Sequence, residues 1–409
     1  MTAPAADPLA GAMPRPRAVR NVAVLATMNA VQGAQLPVYI VLGGLAGAIL
    51  AEDKSLATLP IAAQMLTGMV TALPMSLFMG RFGRRAGFWL GSVLACLGGL
   101  LCALAMLRGE FWLLCIGYMF AGIYQTTQNY FRFAATDTAP EDFKPKAISL
   151  VLAGGLVAAL LSAEIVTRTE GVWSAVPFVG AFAFLVVPNL IGMVLIALLD
   201  IPPPSRSEIR TPSRPWSAIL ADRNIPVAML CAMFVYGTMT LTMTSTPLAM
   251  IACGFGTPDA ANVVKWHVIA MFAPSFFTGS IIARVGPRPV IAAGLVLLLA
   301  CSAVALSGIE LHDFYIALIL LGLGWNFGYI GATSLLAAHN RPEDRAKVQG
   351  LNDLLVMAVM STAALSSGKL MATGGWSFVT LAVMVPVAVA ALALLYGTLV
   401  ARRTRVAPA

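Results

Sequence analysis

Long unbroken apolar runs dominate this chain, and they decide what it can fold into. Twelve such segments lie near residues 21–48, 56–79, 87–107, 111–134, 146–167, 174–199, 224–250, 260–283, 289–308, 313–337, 348–371 and 376–400. Each supplies the about 20 residues that an α-helix needs to cross a bilayer. The strands of a membrane barrel would instead alternate polar and apolar residues over about ten positions. The expectation is therefore an all-α polytopic membrane protein with twelve transmembrane helices. Composition agrees: 59% of residues are apolar and only 11% are charged, against about a quarter charged in soluble domains. Mean hydropathy is +0.85. These values exclude a soluble enzyme, a disordered chain and a nucleic-acid binder. The net charge of +8 falls in short clusters between the apolar runs.

Those clusters orient the chain. Of the 26 Lys and Arg residues, all but Lys54, Arg108, Arg132, Arg168, Lys265 and Lys369 fall in one set of loops and the two termini. The positive-inside rule places that set, and both termini, in the cytoplasm. Three consecutive prolines, Pro202 to Pro204, open a polar stretch at 200–223 that reads as a linker. The expected organisation is a cytoplasmic tail (1–20), a six-helix bundle (21–199), a cytoplasmic linker (200–223), a second six-helix bundle (224–400) and a short tail (401–409). Residues 1–20 lack the form of a cleavable signal, so the first run is expected to stay as a helix. The six cysteines form no C-x-x-C pair and are read as small buried hydrophobes. The excess of Arg over Lys and the Ala-rich helices point to GC-rich bacterial coding, hence an inner membrane.

The two halves repeat each other. "RNVAVLA" at Arg20 returns as "RNIPVAM" at Arg223, and "RFGRR" at Arg81 returns as "RVGPR" at Arg284, both offset by 203; "PEDFKPKA" at Pro140 returns as "PEDRAKVQ" at Pro342, offset by 202. An offset spanning six helices keeps both copies in one orientation, which makes this a parallel repeat about an axis along the membrane normal.

The loop after the second run, "SLFMGRFGRRAGF", resembles the G-x-L-A-D-R-x-G-R-R pattern of the major facilitator superfamily (MFS). Arg81, Gly83, Arg84 and Arg85 match, while Ser76 and Gly80 replace the pattern's first Gly and its Asp. The second copy keeps Arg284 but has Ala283 for the Asp, and Tyr118 stands where the family's helix 4 motif has Arg. The resemblance implies a 6+6 pseudo-symmetric fold whose halves rock about a midplane site. It also implies that this loop latches the cytoplasmic gate. With the Asp missing, Asp353 is expected to bridge the halves to Arg81 or Arg84, or else to stay with Lys347 or Asn352 locally. Asp137 resembles the family acid that holds the same arginine.

Ionisable groups inside the bilayer are costly, which makes them functional candidates. Glu164, His267 and Lys265 are the candidates for proton coupling, each weighed against a helix-end or interfacial role. Arg132 reads as an anion site or as a partner of Asp137. Asn29, Gln32 and Gln35 lie along one side of the first helix. With Tyr124 and Gln128 (helix 4), Tyr236 and Thr240 (helix 7), and Trp325, Asn326 and Tyr329 (helix 10), they are the expected substrate contacts. The family's helices 1, 4, 7 and 10 line its cavity. Amides with aromatic rings suit a planar polar organic molecule, whereas some of helix 7's threonines are expected only to bond back to helix carbonyls.

No phosphate-binding loop is present, so the chain is not expected to hydrolyse ATP. His267, His312 and His339 are scattered, which gives a membrane enzyme no catalytic cluster. The expected function is a secondary transporter for a small organic molecule, proton-driven as the family resemblance implies, working as a monomer without cofactor or metal. A drug or metabolite efflux antiporter and a non-transporting receptor of the same fold are the rivals. One outcome follows from the charge distribution alone. A C-terminal fluorescent-protein fusion should fluoresce and an alkaline phosphatase fusion should be inactive; the reverse pair would overturn the orientation.

Overall fold

The computed structural model describes residues 15–53, 56, 59–169, 176–202 and 213–406. Lys54 and parts of the expected tails and linker (1–14, 203–212 and 407–409) lie outside the described residues. The first crossing is built from α1 (Arg15–Gln32) and α2 (Gln35–Leu50), followed by α3 (Leu59–Phe82) and α4 (Arg84–Arg108). The fourth crossing joins α5 (Phe111–Asn129) to α6 (Phe131–Asp137), α7 (Lys144–Thr169) is the fifth, and α8 (Val179–Phe184) with α9 (Val186–Ala197) is the sixth. A short helix, α10 (Trp216–Leu220), precedes α11 (Asn224–Ala252). The eighth crossing is α12 (Thr257–Phe272) plus α13 (Ser275–Val285), then come α14 (Pro287–Ser307) and α15 (Leu311–His339). The last two crossings run together as α16 (Arg345–Val406), bent at Gly375.

Among the described residues, eleven helical stretches are long and apolar enough to span a membrane. The fourth crossing is not among them, because Gln125, Thr126, Thr127, Gln128 and Asn129 crowd its end. Expected boundaries hold to a few residues, but the sequence reading missed the breaks within single crossings. Prolines explain three of them. A proline ring clashes with the carbonyl four residues earlier and donates no hydrogen bond. Pro37 thus opposes Gly33, where the first crossing breaks, and Pro188 opposes Phe184, where the sixth breaks. Pro274 sits in the break of the eighth. Pro74 and Pro247, by contrast, lie inside unbroken helices.

Backbone groups and amides left open inside a bilayer must find partners within the protein. Asn326 bridges the eighth crossing at its break, donating to Met271 O at 2.6 Å and Ser275 Oγ at 2.7 Å and accepting from Thr278 Oγ1 at 2.7 Å. In the first half, Gln32 donates to Ser92 Oγ at 2.8 Å, and Asn189 donates to Gln35 Oε1 at 3.1 Å. Large side chains such as Val70, Trp112, Leu365 and Leu392 stay exposed, as a lipid-facing belt requires.

The repeat is visible in backbone conformation. Gly83 (φ 89°, ψ 159°) and Gly286 (φ 85°, ψ 167°) cap the starts of α4 and α14 in the same geometry. That region is essentially closed to residues with a Cβ, at a cost of about 1–3 kcal/mol. Within the first half α1 packs on α7 and α5 on α3 and α4; within the second, α11 packs on α15 and α16. The halves meet where α3 packs on the start of α16, and where α7 packs on α13. Gly286→Ala has no crowding at the added methyl, so its effect should be purely conformational: a loss of about 1–3 kcal/mol, read as a lower melting temperature in detergent. An unchanged melt would contradict this account of the turn.

Candidate functional site

The hydrogen bonds and ion pairs described between the halves concentrate toward one end, the end carrying Arg81 to Arg85. Ser76 Oγ donates to Ala346 O at 2.6 Å, and Ser149 Oγ donates to Ser275 O. Arg84 pairs with Asp137 through Nε at 2.8 Å and reaches across to Gln349 Oε1 through Nη2 at 2.6 Å. Arg345 approaches Asp137 from the other half at 3.5 Å. Deeper still, Arg132 Nη2 meets Asp353 Oδ1 at 2.6 Å, with side-chain exposures of 3% and 2%.

Helix geometry explains that pairing. Arg132 stands five residues before the end of α6 and Asp353 eight residues past the start of α16, about 8 and 12 Å deep at 1.5 Å per residue. The spacing from Arg132 to Asp137 is i,i+5, which turns the two away from a common face. Asp137 is thus left to Arg84, and Arg132 faces the other half. Its guanidinium lies over the rings of Phe133 (4.6 Å) and Tyr329 (5.0 Å), where cation–π attraction adds to the ion pair. Asn352 Nδ2 also donates to Asp353 Oδ1, at 2.9 Å, while Asp353 Oδ2 is buried without a partner.

Beside this pair, a small cavity of about 40 Å³ lies between the halves. Gln125 and Asn129 face it from the first half, and Tyr236, Tyr329 and Asp353 from the second. Leu36, Val356, Met357 and Met360 form its apolar wall. Tyr236 and Tyr329 meet edge-on at 4.9 Å, and Trp325 stacks on Tyr329 at 5.2 Å.

The structure sorts the candidates sharply. Tyr236 and Tyr329 reach the cavity, with Trp325 behind them at 2% exposure. Gln32, Gln35 and Asn326 do not: they are held in the helix-to-helix networks described above. Asn29 bonds to Val151 O at 2.9 Å and accepts from Gln128 at 2.9 Å. Tyr124 is buried, and Thr240 bonds back to Tyr236 O at 3.0 Å. Of the four polar residues Tyr124, Gln125, Gln128 and Asn129 that the sequence offers on helix 4, Gln125 and Asn129 line the cavity. These two are four residues apart and so share a face, but the polar residues all round this segment hid which face mattered.

The proton candidates also fall elsewhere. Glu164 is exposed and pairs with Arg168 at 2.6 Å, and Lys265 is exposed. His267 is fully buried within the second half, its Nδ1 2.9 Å from Leu318 O. Arg81, Arg85 and Arg284 are exposed; Arg81 lies over the Phe82 ring. Asp353 therefore bridges the halves to Arg132, and neither Arg81 nor Arg84 is its partner. Arg132 in turn does not pair with Asp137. No metal-holding cluster of His, Cys, Asp and Glu occurs among the described residues.

Residues 23–274 and 228–409 match the family model described as Major Facilitator Superfamily. The chain is 36% identical over 359 residues to the riboflavin transporter RfnT of Brucella anthropi, covering 87% of this chain and 90% of that one. It is 29% identical over 385 residues to the uncharacterized MFS-type transporter YdeG of Bacillus subtilis, covering 89% and 88%. Among solved structures, FucP in the outward conformation gives a TM-score of 0.79 at 16% identity, over 93% of this chain and 99% of that one. A bacterial homologue of the iron transporter ferroportin in the outward-facing state gives 0.72 at 11% identity, over 93% and 99%. At those identities the two structures speak for the fold alone.

Removing one member of a buried ion pair strands the other, at about 3–5 kcal/mol, whereas replacing both by apolar groups is often neutral. Arg132→Leu alone should therefore lower the melting temperature far more than Arg132→Leu with Asp353→Leu. Thermal melts in detergent check this, and a double variant as unstable as the single would contradict the pairing.

Proposed function

The chain belongs to the major facilitator superfamily, and from that premise we propose that it carries riboflavin, or a close flavin relative, by alternating access with a coupled proton. Members of this family are transporters, and the chain is a multi-pass membrane protein rather than an enzyme. The observation that carries the reading is the cavity between the halves, shut on one side by cross-half bonds. The cargo rests on the similarity to the Brucella anthropi riboflavin transporter.

The chemistry of the walls supports that cargo. An isoalloxazine ring is flat, with an imide edge that offers two carbonyl acceptors around one N–H donor. Gln125 and Asn129 each present a donor and an acceptor to the cavity. The edges and faces of Tyr236 and Tyr329 suit an aromatic guest, and Leu36, Val356, Met357 and Met360 suit its apolar end. At about 40 Å³ the cavity is well below the roughly 300–1,000 Å³ of small-molecule sites, so the halves must part to admit the cargo. By the positive-inside rule the closed, arginine-rich end is cytoplasmic, in a bacterial inner membrane, and the protein works as a monomer. The missing acid at Gly80 does not argue for a receptor that has lost transport, since Gln349, Arg345 and Asp353 supply the cross-half contacts.

Proteoliposomes holding the purified protein should accumulate radiolabelled riboflavin under an acid-outside gradient; flux no greater than in empty liposomes would sink the reading. Gln125→Ala should weaken riboflavin binding by about tenfold, the equivalent of one hydrogen bond of about 1.4 kcal/mol. Flavin fluorescence quenching checks that value.

A further inference from the structure

Alternating access with proton coupling needs a titratable group that both faces the cavity and bears on the gate. None of the groups expected from the sequence to couple protons does both. Glu164 is exposed and paired with Arg168, His267 is enclosed within one half and held to Leu318 O, and Lys265 is exposed. Asp353 does both. It borders the cavity and it holds Arg132 from the other half.

We propose that Asp353 is the proton-binding site of this transporter, and that its protonation from the cavity releases Arg132 and unlatches the arginine-rich end. The inference rests on the reading of the chain as a proton-coupled transporter, though not on the identity of its cargo. Oδ1 already accepts from Arg132 and Asn352. Oδ2 is buried, unpartnered and part of a side chain that borders the cavity, so it is the oxygen that takes the proton. One proton leaves cavity water and adds to the carboxylate, and no electrons change hands. The pair then loses its negative member while Arg132 keeps its charge. A lone buried cation is strongly disfavoured, and opening this end gives it water. Asp353 discharges the proton to that water, and only the recharged carboxylate can re-form the latch. One proton therefore crosses per cycle.

The surroundings leave Asp353 as the group that titrates. From the first half it faces Arg132 and Tyr130 in the fourth crossing and Arg84 at the start of α4. From the second half it faces Tyr236 on α11 and Tyr329 on α15. The arginines stay charged and the phenols stay neutral across the ordinary pH range. On α3, which packs along α16, the only charged residue is Arg81, and it is exposed. The other inter-half ion pair among the described residues, Asp137 with Arg345, is longer and partly exposed, so it is a weaker lock.

The test needs no cargo. Spin labels placed at Phe82 and Val285, both exposed at the arginine-rich end, report the separation of the halves in nanodiscs between acid and neutral pH, in a background lacking the exposed Cys253. The wild-type protein should gain a longer-distance population on acidification. The population ratio should change by up to about tenfold per pH unit, the limit set by one proton. Asp353→Asn should abolish that response, and so should the neutral pair Arg132→Gln with Asp353→Asn, which folds without a stranded charge. Asp353→Glu should keep a response with a shifted midpoint. A wild-type protein indifferent to pH, or a wild-type response persisting in either neutral variant, overturns the proposal. Riboflavin binding measured on the same samples separates the two readings. Binding with no pH-dependent opening removes the latch and leaves the cargo; opening without binding does the reverse.

Discussion

The ion pair between Arg132 and Asp353 ties the two halves together and withdraws a charge of each sign from both water and lipid. Such a pair is a poor source of stability, because removing two charges from water costs about as much as their attraction returns. Its value lies in its conditionality. It holds only while both groups are charged and both helices are in register, and it fails abruptly when either condition lapses. The bonds around it, from Arg84 to Gln349 and from Ser76 to Ala346, follow the same interface.

The rest of the architecture brings those two side chains within reach of each other. Gly83 and Gly286 turn the chain tightly between crossings in each half. The proline breaks divide three crossings into segments, and the amides of Gln32, Asn189 and Asn326 rebind what the breaks and the lipid leave open. These networks make each half stiff within itself. The polar contacts between the halves are fewer and lie toward one end.

Much of this was legible in the residues. Apolar runs gave the crossings, the 203-residue offset gave the repeat, and Gly83 with its arginines pointed to the loop at the gate. Asp353 and Arg132 stood out as charges in apolar segments. Their partnership did not, because a sequence orders residues along helices but does not rotate the helices against one another. The same ambiguity of phase left Tyr124 and Gln128 undistinguished from Gln125 and Asn129. Amides on the first helix looked like a substrate face because an amide that bonds a neighbouring helix and one that awaits a guest have the same composition. Only the packed partners, Ser92 and Asn189 for Gln32, tell them apart.

The most direct test of the closed end is chemical access to the cavity. A single cysteine at Gln125, in a background without the native cysteines, can be probed with a membrane-impermeant thiol reagent applied to either face of oriented vesicles. The account predicts slow labelling from the cytoplasmic face in the otherwise native chain and a marked acceleration from that face when Arg132→Gln is added. Rapid cytoplasmic labelling with the ion pair intact, or no change on breaking it, would contradict the claim that this pair holds the cavity shut.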